Sequence, residues 1–293
     1  MAHCNQRNPY WIIQALACTA MFLFAAGCDK PSRGDLTIIR VDPRPLRFAV
    51  YPYLDREALQ AGFGPLIDFL AQRVGCPVRL EIARNYNRME RLVQSGRVDI
   101  GMMTPRVPRS VIPAMTRVLA LPEPVEGTSY RGLIITRSDS SIRSLNDLRG
   151  KRFAFVDRGS RSGFWAPNRI LQAAGIQPPR DFASIHFAGS HDRCLDGVIR
   201  GDFDAAAVSQ LVLDTDPASV KEVFVLARTD PIPLDPIVVS NQLDRELIQR
   251  LRDAFAEIAV KRSQDPLIHD LRQNLRIRGF LVPEVKESEG SVR

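Results

Sequence analysis

Short apolar runs alternate with amphipathic segments along most of the 293-residue chain. In the first part of the chain, strands are predicted at residues 47–50, 78–82 and 98–103. Between them, apolar positions recur every three or four residues in segments 63–74 and 89–93, and a nearby glycine follows each segment. This spacing favours helices that end at those glycines. Alternation of strand and helix is typical of sheets covered by helices, so we predict an α/β fold.

Two stretches of sequence repeat the same design and indicate two similar lobes. Gly96-Arg-Val-Asp99 runs into an apolar strand, and Gly201-Asp-Phe-Asp204 does the same. Each stretch places glycine at a helix end and aspartate directly before a strand. Asp99 and Asp204 are therefore predicted to fix turns rather than to bind a ligand.

The predicted organisation has two lobes and three flanking segments. These parts are a signal peptide at residues 1–27, a flexible tether at 28–45, a first lobe at 46–134 plus 238–285, a second lobe at 135–237 and a disordered tail at 286–293. Strands at 131–136 and 237–240 are predicted to cross between the lobes. A ligand held between two such lobes would close them.

The N-terminal residues have the features of an export signal. Arg7 precedes an apolar run at residues 11–26, which ends in small residues. The sequence A-A-G-C, ending at Cys28, resembles a bacterial lipobox and implies cleavage before Cys28 and lipidation of its sulfur. The alternative is an uncleaved anchor helix, although 16 residues are fewer than the roughly 20 that span a bilayer. Asp29 resembles a signal that retains lipoproteins at the inner membrane, so we expect a lipid anchor at the periplasmic face of the cell membrane.

The charge of the chain indicates what kind of partner it binds. The formal net charge is +7, and +6 remains if Arg7 leaves with the signal, which suits an anionic ligand or membrane headgroups. Lysine and arginine are scattered and aromatic residues make up 7% of the chain, so no nucleic-acid partner is expected.

Beyond Cys28, only Cys76 and Cys194 remain, and we expect two unpaired thiols, with a disulfide between them as the alternative. No His/Cys cluster indicates a metal site, and no cofactor is expected.

The segment from Lys151 to Leu171 is the most informative part of the chain, because an apolar run ends in a Gly/Ser turn that leads directly into a helix. The turn presents the hydroxyls of Ser160 and Ser162 beside the free N–H groups of a helix start, where an anion is favoured. Arg161 stands where a G-x-S-x-G hydrolase motif would need its serine, so that motif is not met. The alternative is that a serine here only caps the helix.

Three segments together resemble the periplasmic substrate-binding proteins of phosphonate, phosphite and phosphate-type ABC transporters. They are S-L-N-D-L-R-G-K-R at residues 144–152, S-R-S-G at 160–163 followed by Pro167, and G-S-H-D at 189–192 followed by G-D-F-D-A at 201–205. The resemblance covers most of residues 46–285. It implies the type II periplasmic-binding fold, in which two α/β lobes are joined by a two-strand hinge.

The resemblance also implies roles for individual residues. Ser160 and Ser162 match hydroxyls that bind phosphonate oxygens, and His191 matches a histidine that the family places near the ligand. Tyr53 and Tyr130 correspond to aromatic residues of the pocket wall. The alternatives are a helix-start residue bonded to its own turn for His191 and lobe packing for the tyrosines.

Three further positions follow from the same resemblance. Thr104 corresponds to a small polar residue at a strand end. Arg161 stands where the family often has a small polar residue, and it either adds a bidentate oxyanion contact or points into solvent. Asp235 resembles the hinge-side carboxylate that holds the ammonium of an aminoalkylphosphonate, although it could also be a turn cap between prolines. The second acid expected near Ser209 is missing, which leaves phosphite, methylphosphonate, phosphate or another tetrahedral oxyanion open.

We therefore expect a monomeric, lipid-anchored binding protein, not an enzyme, that captures a small phosphorus oxyanion and passes it to an ABC permease. One alternative is a sensor that presents its closed form to a membrane histidine kinase. A weaker alternative is a hydrolase using Ser160, His191 and Asp192. Because His191 and Asp192 are adjacent, their side chains diverge at a helix start, and no third group is placed to orient the imidazole.

Overall fold

The computed structural model describes residues 44–103, 117–125, 129–215, 218–261 and 264–283. The predicted signal peptide, nearly all of the predicted tether including Cys28, the predicted tail and Thr104 lie outside the described residues.

The described elements alternate between strands and helices, as the apolar pattern predicts. The strands are β1 (Leu46–Val50), β2 (Val78–Ile82), β3 (Ile100–Met102), β4 (Arg117–Pro124), β5 (Gly132–Arg137), β6 (Arg152–Phe155), β7 (Ser184–Phe187), β8 (Ala205–Ser209), β9 (Val223–Arg228), β10 (Ile237–Val239) and β11 (Ile277–Leu281). The helices are α1 (Arg56–Val74), α2 (Tyr86–Gln94), α3 (Ala166–Ala173), α4 (Pro178–Asp181), α5 (His191–Arg200), α6 (Gln210–Thr215), α7 (Arg245–Ala259) and α8 (Pro266–Leu275). Short 3-10 segments lie at Leu145–Leu148 and Ser219–Glu222, and one π-helical turn lies at Arg161–Trp165.

The strands form two separate sheets, which confirms the mixed α/β fold. The first sheet has the order β11-β4-β10-β3-β1-β2, in which β1 is parallel to both β2 and β3. The second sheet has the order β7-β6-β8-β5-β9, in which β6 is parallel to both β7 and β8. Each sheet also contains antiparallel pairs, such as β10 beside β3 in the first and β5 beside β8 in the second.

The internal repeat is visible as the same junction in both sheets. Asp99, just before β3, accepts a hydrogen bond from the Arg47 N–H at 2.8 Å, and Asp204, just before β8, accepts one from the Arg152 N–H at 2.8 Å. Arg47 and Arg152 lie in the strands parallel to β3 and β8, so each carboxylate ties two neighbouring strands together. Asp99 and Asp204 therefore have structural roles, as predicted, although they tie neighbouring strands together instead of fixing a local turn.

The chain crosses between the sheets through two short paired segments. It passes to the second sheet between β4 and β5 and returns between β9 and β10, and there Tyr130 and Ile232 exchange backbone hydrogen bonds of 2.9 and 2.7 Å. The prediction that residues 131–136 and 237–240 form the crossings was wrong, because these residues form β5, β10 and their immediate ends. Both runs are rich in buried aliphatic residues, which sheet pairing protects from water, whereas the true crossings are richer in proline and polar residues.

Helices cover the sheets and place the two cysteines far apart in the fold. Helix α1 packs on α7, α8 and β2 of the first sheet, whereas α5 packs on β8 of the second. Cys76 follows α1 and Cys194 lies in α5, both are buried, and no disulfide joins them. Among the described helices, none has both the length and the apolar character needed to cross a membrane.

Candidate ligand-binding site

A small enclosed cavity lies where the first sheet, the second sheet and the crossing segments meet. Its volume is about 50 Å³, which is room for roughly three to five water molecules. The lining side chains come from loops at strand ends, from the serine turn and from the crossings. The residues around it are Tyr53, Leu54, Tyr86, Met102, Tyr130, Ser160, Arg161, Ser162, His191, Ser209, Leu211, Val212, Thr215, Leu234, Asp235, Leu275 and Ile277.

The structure brings seven of the eight predicted site residues together at this cavity. Six of the seven are neutral polar or cationic groups, and one is a carboxylate; they are Tyr53, Tyr130, Ser160, Arg161, Ser162, His191 and Asp235. The eighth, Thr104, lies outside the described residues.

The serine turn (residues 160–163) follows β6 after a short loop and continues into α3 through the π-helical turn. Ser160 and Ser162 are 1% and 2% exposed. The Ser160 hydroxyl accepts a hydrogen bond from the Gly163 N–H at 3.0 Å, so this serine does cap the turn, as the alternative interpretation held. It also lines the cavity, so capping and ligand contact are not exclusive here.

Small residues let the serine turn approach the sheet. A Cβ atom added to Gly163 would lie 2.4 Å from the Val156 side chain. A Cβ atom added to Gly132, at the start of β5, would lie 2.7 Å from the Ser162 carbonyl oxygen. Glycine at both positions therefore permits the close packing that fixes Ser160 and Ser162 at the cavity.

His191 is held as a neutral hydrogen-bond donor. Its Nδ1 atom accepts a hydrogen bond from the Ser209 backbone N–H at 2.8 Å, and its Nε2 atom lies 3.5 Å from the Ser162 hydroxyl oxygen. Burial lowers the pKa of His191 to about 3. Because Nδ1 is an acceptor, the single proton of the neutral ring is assigned to Nε2, where it points toward the serine turn.

Three tyrosines supply further hydroxyl groups. Burial, followed by the charge of Asp235, raises the pKa of Tyr53 and of Tyr130, so both phenols stay protonated. The Tyr86 hydroxyl faces Ser160 and the Tyr130 hydroxyl faces Ser162, and each serine partly offsets the rise in the pKa of its tyrosine. Tyrosines from the first lobe and the crossing thus meet the two serines of the second lobe.

Tyr86 and Ser209 were not predicted as site residues. Tyr86 begins α2 directly after the loop that follows β2, just as Tyr53 follows β1, and its ring stacks on Tyr51 at 4.6 Å. Since ligands of open α/β sheets bind beyond the carboxyl ends of strands, Tyr86 carried the same positional signal as Tyr53. Ser209 acts through its backbone N–H, and no side-chain pattern in a sequence reports such a contact.

Asp235 and Arg161 are the residues with formal charge among the described residues that line the cavity. Burial raises the pKa of Asp235 to about 7, and the positive charge of Arg161 opposes that rise. One carboxylate oxygen of Asp235, Oδ1, is buried without a hydrogen-bond partner. Arg161 is half-buried and lines the same cavity, and its charge also lowers the pKa of Tyr130.

The two residues of the hydrolase alternative, His191 and Asp192, are not arranged as a base for the serines. Asp192 accepts a hydrogen bond from the Asp55 N–H at 2.8 Å, so its carboxylate is engaged by the first lobe. The imidazole of His191 has its basic Nδ1 atom turned to the Ser209 N–H. A neutral Nε2–H donates a hydrogen bond to Ser162 and cannot take its proton. Within the described part of the chain, no group of three or more His, Cys, Asp and Glu residues could hold a metal ion.

Two α/β lobes, a two-segment crossing and a polar cavity between the lobes define the class of type II periplasmic binding proteins. A solved structure of the same fold is PhnD1 from Prochlorococcus marinus in complex with methylphosphonate, with a TM-score of 0.73 and 18% identity over 84% of this chain and 95% of that one. The family model for the periplasmic substrate-binding protein of the phosphonate ABC transporter matches residues 48–284. The chain belongs to this family.

Curated relatives agree with this assignment. The phosphate-import protein PhnD of Mycolicibacterium smegmatis is 28% identical over 270 residues, which cover 86% of this chain and 83% of the relative. The phosphonates-binding periplasmic protein of Escherichia coli is 26% identical over 254 residues, which cover 83% and 73%. A shorter match, 30% identical over 115 residues, covers 38% of this chain and 19% of the tetrathionate sensor histidine kinase TtrS of Salmonella typhimurium.

Proposed function

We propose that this chain binds one small phosphorus oxyanion of the phosphite, methylphosphonate or phosphate type and delivers it to an ABC permease. The observation that carries the proposal is the cavity itself, which is small and surrounded by hydrogen-bond donors. Phosphate and methylphosphonate are the small phosphorus compounds named for relatives of this chain.

The donors around the cavity suit tetrahedral oxygens. The hydroxyls of Ser160 and Ser162, the Nε2–H of His191 and the guanidinium of Arg161 all donate. Each hydrogen bond to a charged oxygen contributes about 1.5–3 kcal/mol in net terms. Exclusion of water from an enclosed cavity strengthens these interactions further.

Asp235 is the single carboxylate in the described lining and determines which form of the anion is accepted. Its Oδ1 atom lacks a partner, so a ligand that carries one proton on oxygen can donate to it. A fully ionised ligand would meet an ionised Asp235 with repulsion. The described lining has no second carboxylate near Ser209, which disfavours a ligand with an aminoalkyl tail.

A calorimetric screen tests this proposal. Protein without residues 1–28 is titrated with phosphite, methylphosphonate, phosphate, sulfate and 2-aminoethylphosphonate. We expect one-to-one binding of at least one of the first three, with sulfate and 2-aminoethylphosphonate weaker, since sulfate has no proton to donate at neutral pH. Strongest binding of 2-aminoethylphosphonate, or no binding of any phosphorus oxyanion, would contradict the proposal.

Two further parts of the proposal concern location and chemistry. We infer that Cys28 is lipidated after removal of residues 1–27, so that the binding lobes are tethered at the periplasmic face of the membrane. We also infer that the ligand leaves unchanged, because His191 is held as a donor and Asp192 is engaged by Asp55. Incubation of the protein with a chromogenic phosphoester should give no turnover.

A second candidate function is sensing, and the partial match to a sensor histidine kinase favours it. In that case the closed form would contact a kinase instead of a permease. Genes for a permease and an ATPase beside the gene for this chain would support import, and a neighbouring kinase gene without them would support sensing.

A further inference from the structure

A second cavity, larger than the first, lies between the start of α1 and the start of α5. Its volume is about 240 Å³. Arg56 and Arg84 line it from the first lobe, and Ser190 and Arg193 line it from the second. We call it the arginine cleft, defined by these four residues. Leu54 borders both cavities, so the arginine cleft adjoins the small one.

Three arginines and one carboxylate, Asp55, line the arginine cleft, which leaves its lining net positive. Arg56 donates to the Ile82 carbonyl oxygen at 3.3 Å, and within the described ranges none of the three arginines lies within 4 Å of a carboxylate. Two carboxylates stand close by. Asp55 accepts from the Ala58 N–H at 2.7 Å, and Asp192 accepts from the Asp55 N–H at 2.8 Å, so both are directed at backbone donors.

Ser190 is a second, independent indication that the arginine cleft binds a ligand. It occupies the N-cap position of the ten-residue helix α5 and is 4% exposed, yet its hydroxyl makes no capping hydrogen bond and has no other partner. A buried hydroxyl without a partner costs about 1–3 kcal/mol, so a partner is expected. Ser190 lines the arginine cleft, and an anion there would accept from it.

We propose that the arginine cleft binds a soluble oxyanion of the phosphate class, separate from the ligand of the small cavity. Guanidinium groups match phosphate oxygens in geometry, and the starts of α1 and α5 both present the positive ends of helix dipoles. Because the binding groups come from both lobes, an anion in the cleft binds the closed arrangement alone. It therefore tightens binding in the small cavity by linkage. The site in the cleft goes beyond the proposed function and does not depend on it. Only the coupling between the cleft and the small cavity rests on the proposed function.

Pyrophosphate is the probe for the cleft, because it is larger than the single-phosphorus anions proposed for the small cavity, and the serine variant reports any binding there. It is titrated by calorimetry at low salt into protein without residues 1–28. The test variant is Arg84→Gln with Arg193→Gln, which removes one cleft arginine from each lobe. The matched control is Arg169→Gln with Arg245→Gln, two exposed arginines outside both cavities. A third variant, Ser190→Ala, removes the unpartnered hydroxyl without changing charge.

We expect the cleft variant to bind pyrophosphate at least about tenfold more weakly, and Ser190→Ala about threefold more weakly, with the charge control within twofold of the parent protein. Ser160→Ala with Ser162→Ala should leave pyrophosphate binding unchanged. Saturating pyrophosphate should tighten the small-cavity ligand several-fold in the parent protein and not in the cleft variant.

Three results would overturn the proposal: no pyrophosphate binding by the parent protein, equal weakening in the charge control, or loss of pyrophosphate binding in the serine variant. Absence of pyrophosphate binding would not contradict the proposed function. Conversely, failure of the oxyanion screen would not contradict the cleft site. Sedimentation with phosphatidylglycerol vesicles separates a free anion from a lipid headgroup. Arginine-dependent vesicle binding without pyrophosphate binding would assign the cleft to lipid and contradict a soluble ligand.

Discussion

The hydroxyl groups of Ser160 and Ser162 are the residue-scale feature on which the proposed site depends most. Replacing both by alanine leaves the backbone donors but removes two hydrogen bonds to a charged oxygen. We expect binding to weaken by about 3–6 kcal/mol. Isothermal titration with the ligand that binds best in the screen measures the change.

The same variant has a structural cost that can be separated from the loss of binding. Because Ser160 caps the Gly163 N–H, the protein without ligand should lose about 1 kcal/mol of stability. Ser184→Ala, outside the cavity, is the matched control and should bind normally. Full affinity in the Ser160→Ala, Ser162→Ala variant would show that the serines only cap the turn.

Asp235 should make both stability and binding depend on pH. Its pKa is raised to about 7 by burial, so the folded protein keeps a proton that the unfolded chain loses near pH 4. The contribution of Asp235 to stability is therefore full below pH 4, falls as the pH rises from about 4 to about 7, and stays low above that. Asp235→Asn should remove this dependence and raise the melting temperature at pH 8 relative to the parent protein.

Asp235→Asn should also change the affinity for the ligand. Above pH 7 an ionised Asp235 repels a dianion, so Asp235→Asn should bind methylphosphonate as tightly as the parent protein or more tightly at pH 8. The affinity of Asp235→Asn is divided by that of the parent protein, once at pH 5.5 and once at pH 8. This ratio cancels the titration of the ligand itself. A ratio that does not change with pH would mean that Asp235 does not face the ligand.

At the scale of secondary-structure elements, the position of the serine turn depends on how closely β5 approaches it. A methyl group at Gly132 would lie 2.7 Å from the Ser162 carbonyl oxygen and 2.9 Å from the Thr229 side chain. Gly132→Ala should therefore displace the turn and weaken oxyanion binding about tenfold or more, with a loss of stability of about 1–3 kcal/mol. Calorimetric titration and thermal unfolding measure the two effects.

The control for this substitution is Gly279→Ala in β11. Its added methyl group would lie 3.6 Å from the Glu123 carboxylate, an ordinary contact, and Gly279 does not line the small cavity. Affinity should stay within about twofold of the parent protein. Normal binding by Gly132→Ala would show that the turn tolerates a shift of β5.

Elements with a strong local signal were predictable from the sequence, and contacts between distant elements were not. The strand, serine turn and helix around Ser160 follow from local pattern, whereas the bonds by which Asp99 and Asp204 tie neighbouring strands do not. The crossing segments were misplaced because β5 and β10 look like any buried strand, and only the pairing of Tyr130 with Ile232 distinguishes crossing from sheet.

The cavity shows the same division. Its serines, histidine and carboxylate were predictable from their resemblance to family motifs. The tautomer of His191 was not, because it depends on the backbone of a strand 18 residues away. The contact between Asp192 and Asp55 across the lobes was likewise not predictable from the sequence.

At the scale of the whole molecule, the proposed lipid anchor depends on a single thiol. Cys28 is the only cysteine between the apolar run and the first lobe. Cys28→Ser should therefore release the protein from membranes or leave it unprocessed. Membrane fractionation and labelling with a fatty-acid analogue measure this. Labelling that persists in the variant would contradict the anchor, and Cys76→Ser is the control that should leave membrane attachment unchanged.

Two contacts join the lobes without using any atom that faces the small cavity. The His191 N–H donates to the Tyr53 carbonyl oxygen at 3.0 Å, and the Asp55 N–H donates to the Asp192 carboxylate at 2.8 Å. Their contribution to closure is the same whichever anion is inside. Removing one, as in Asp192→Ala, should lower the affinity for every ligand by a common factor and leave the ratios between ligands unchanged. How tightly the protein holds its cargo can thus be adjusted without altering which cargo it prefers.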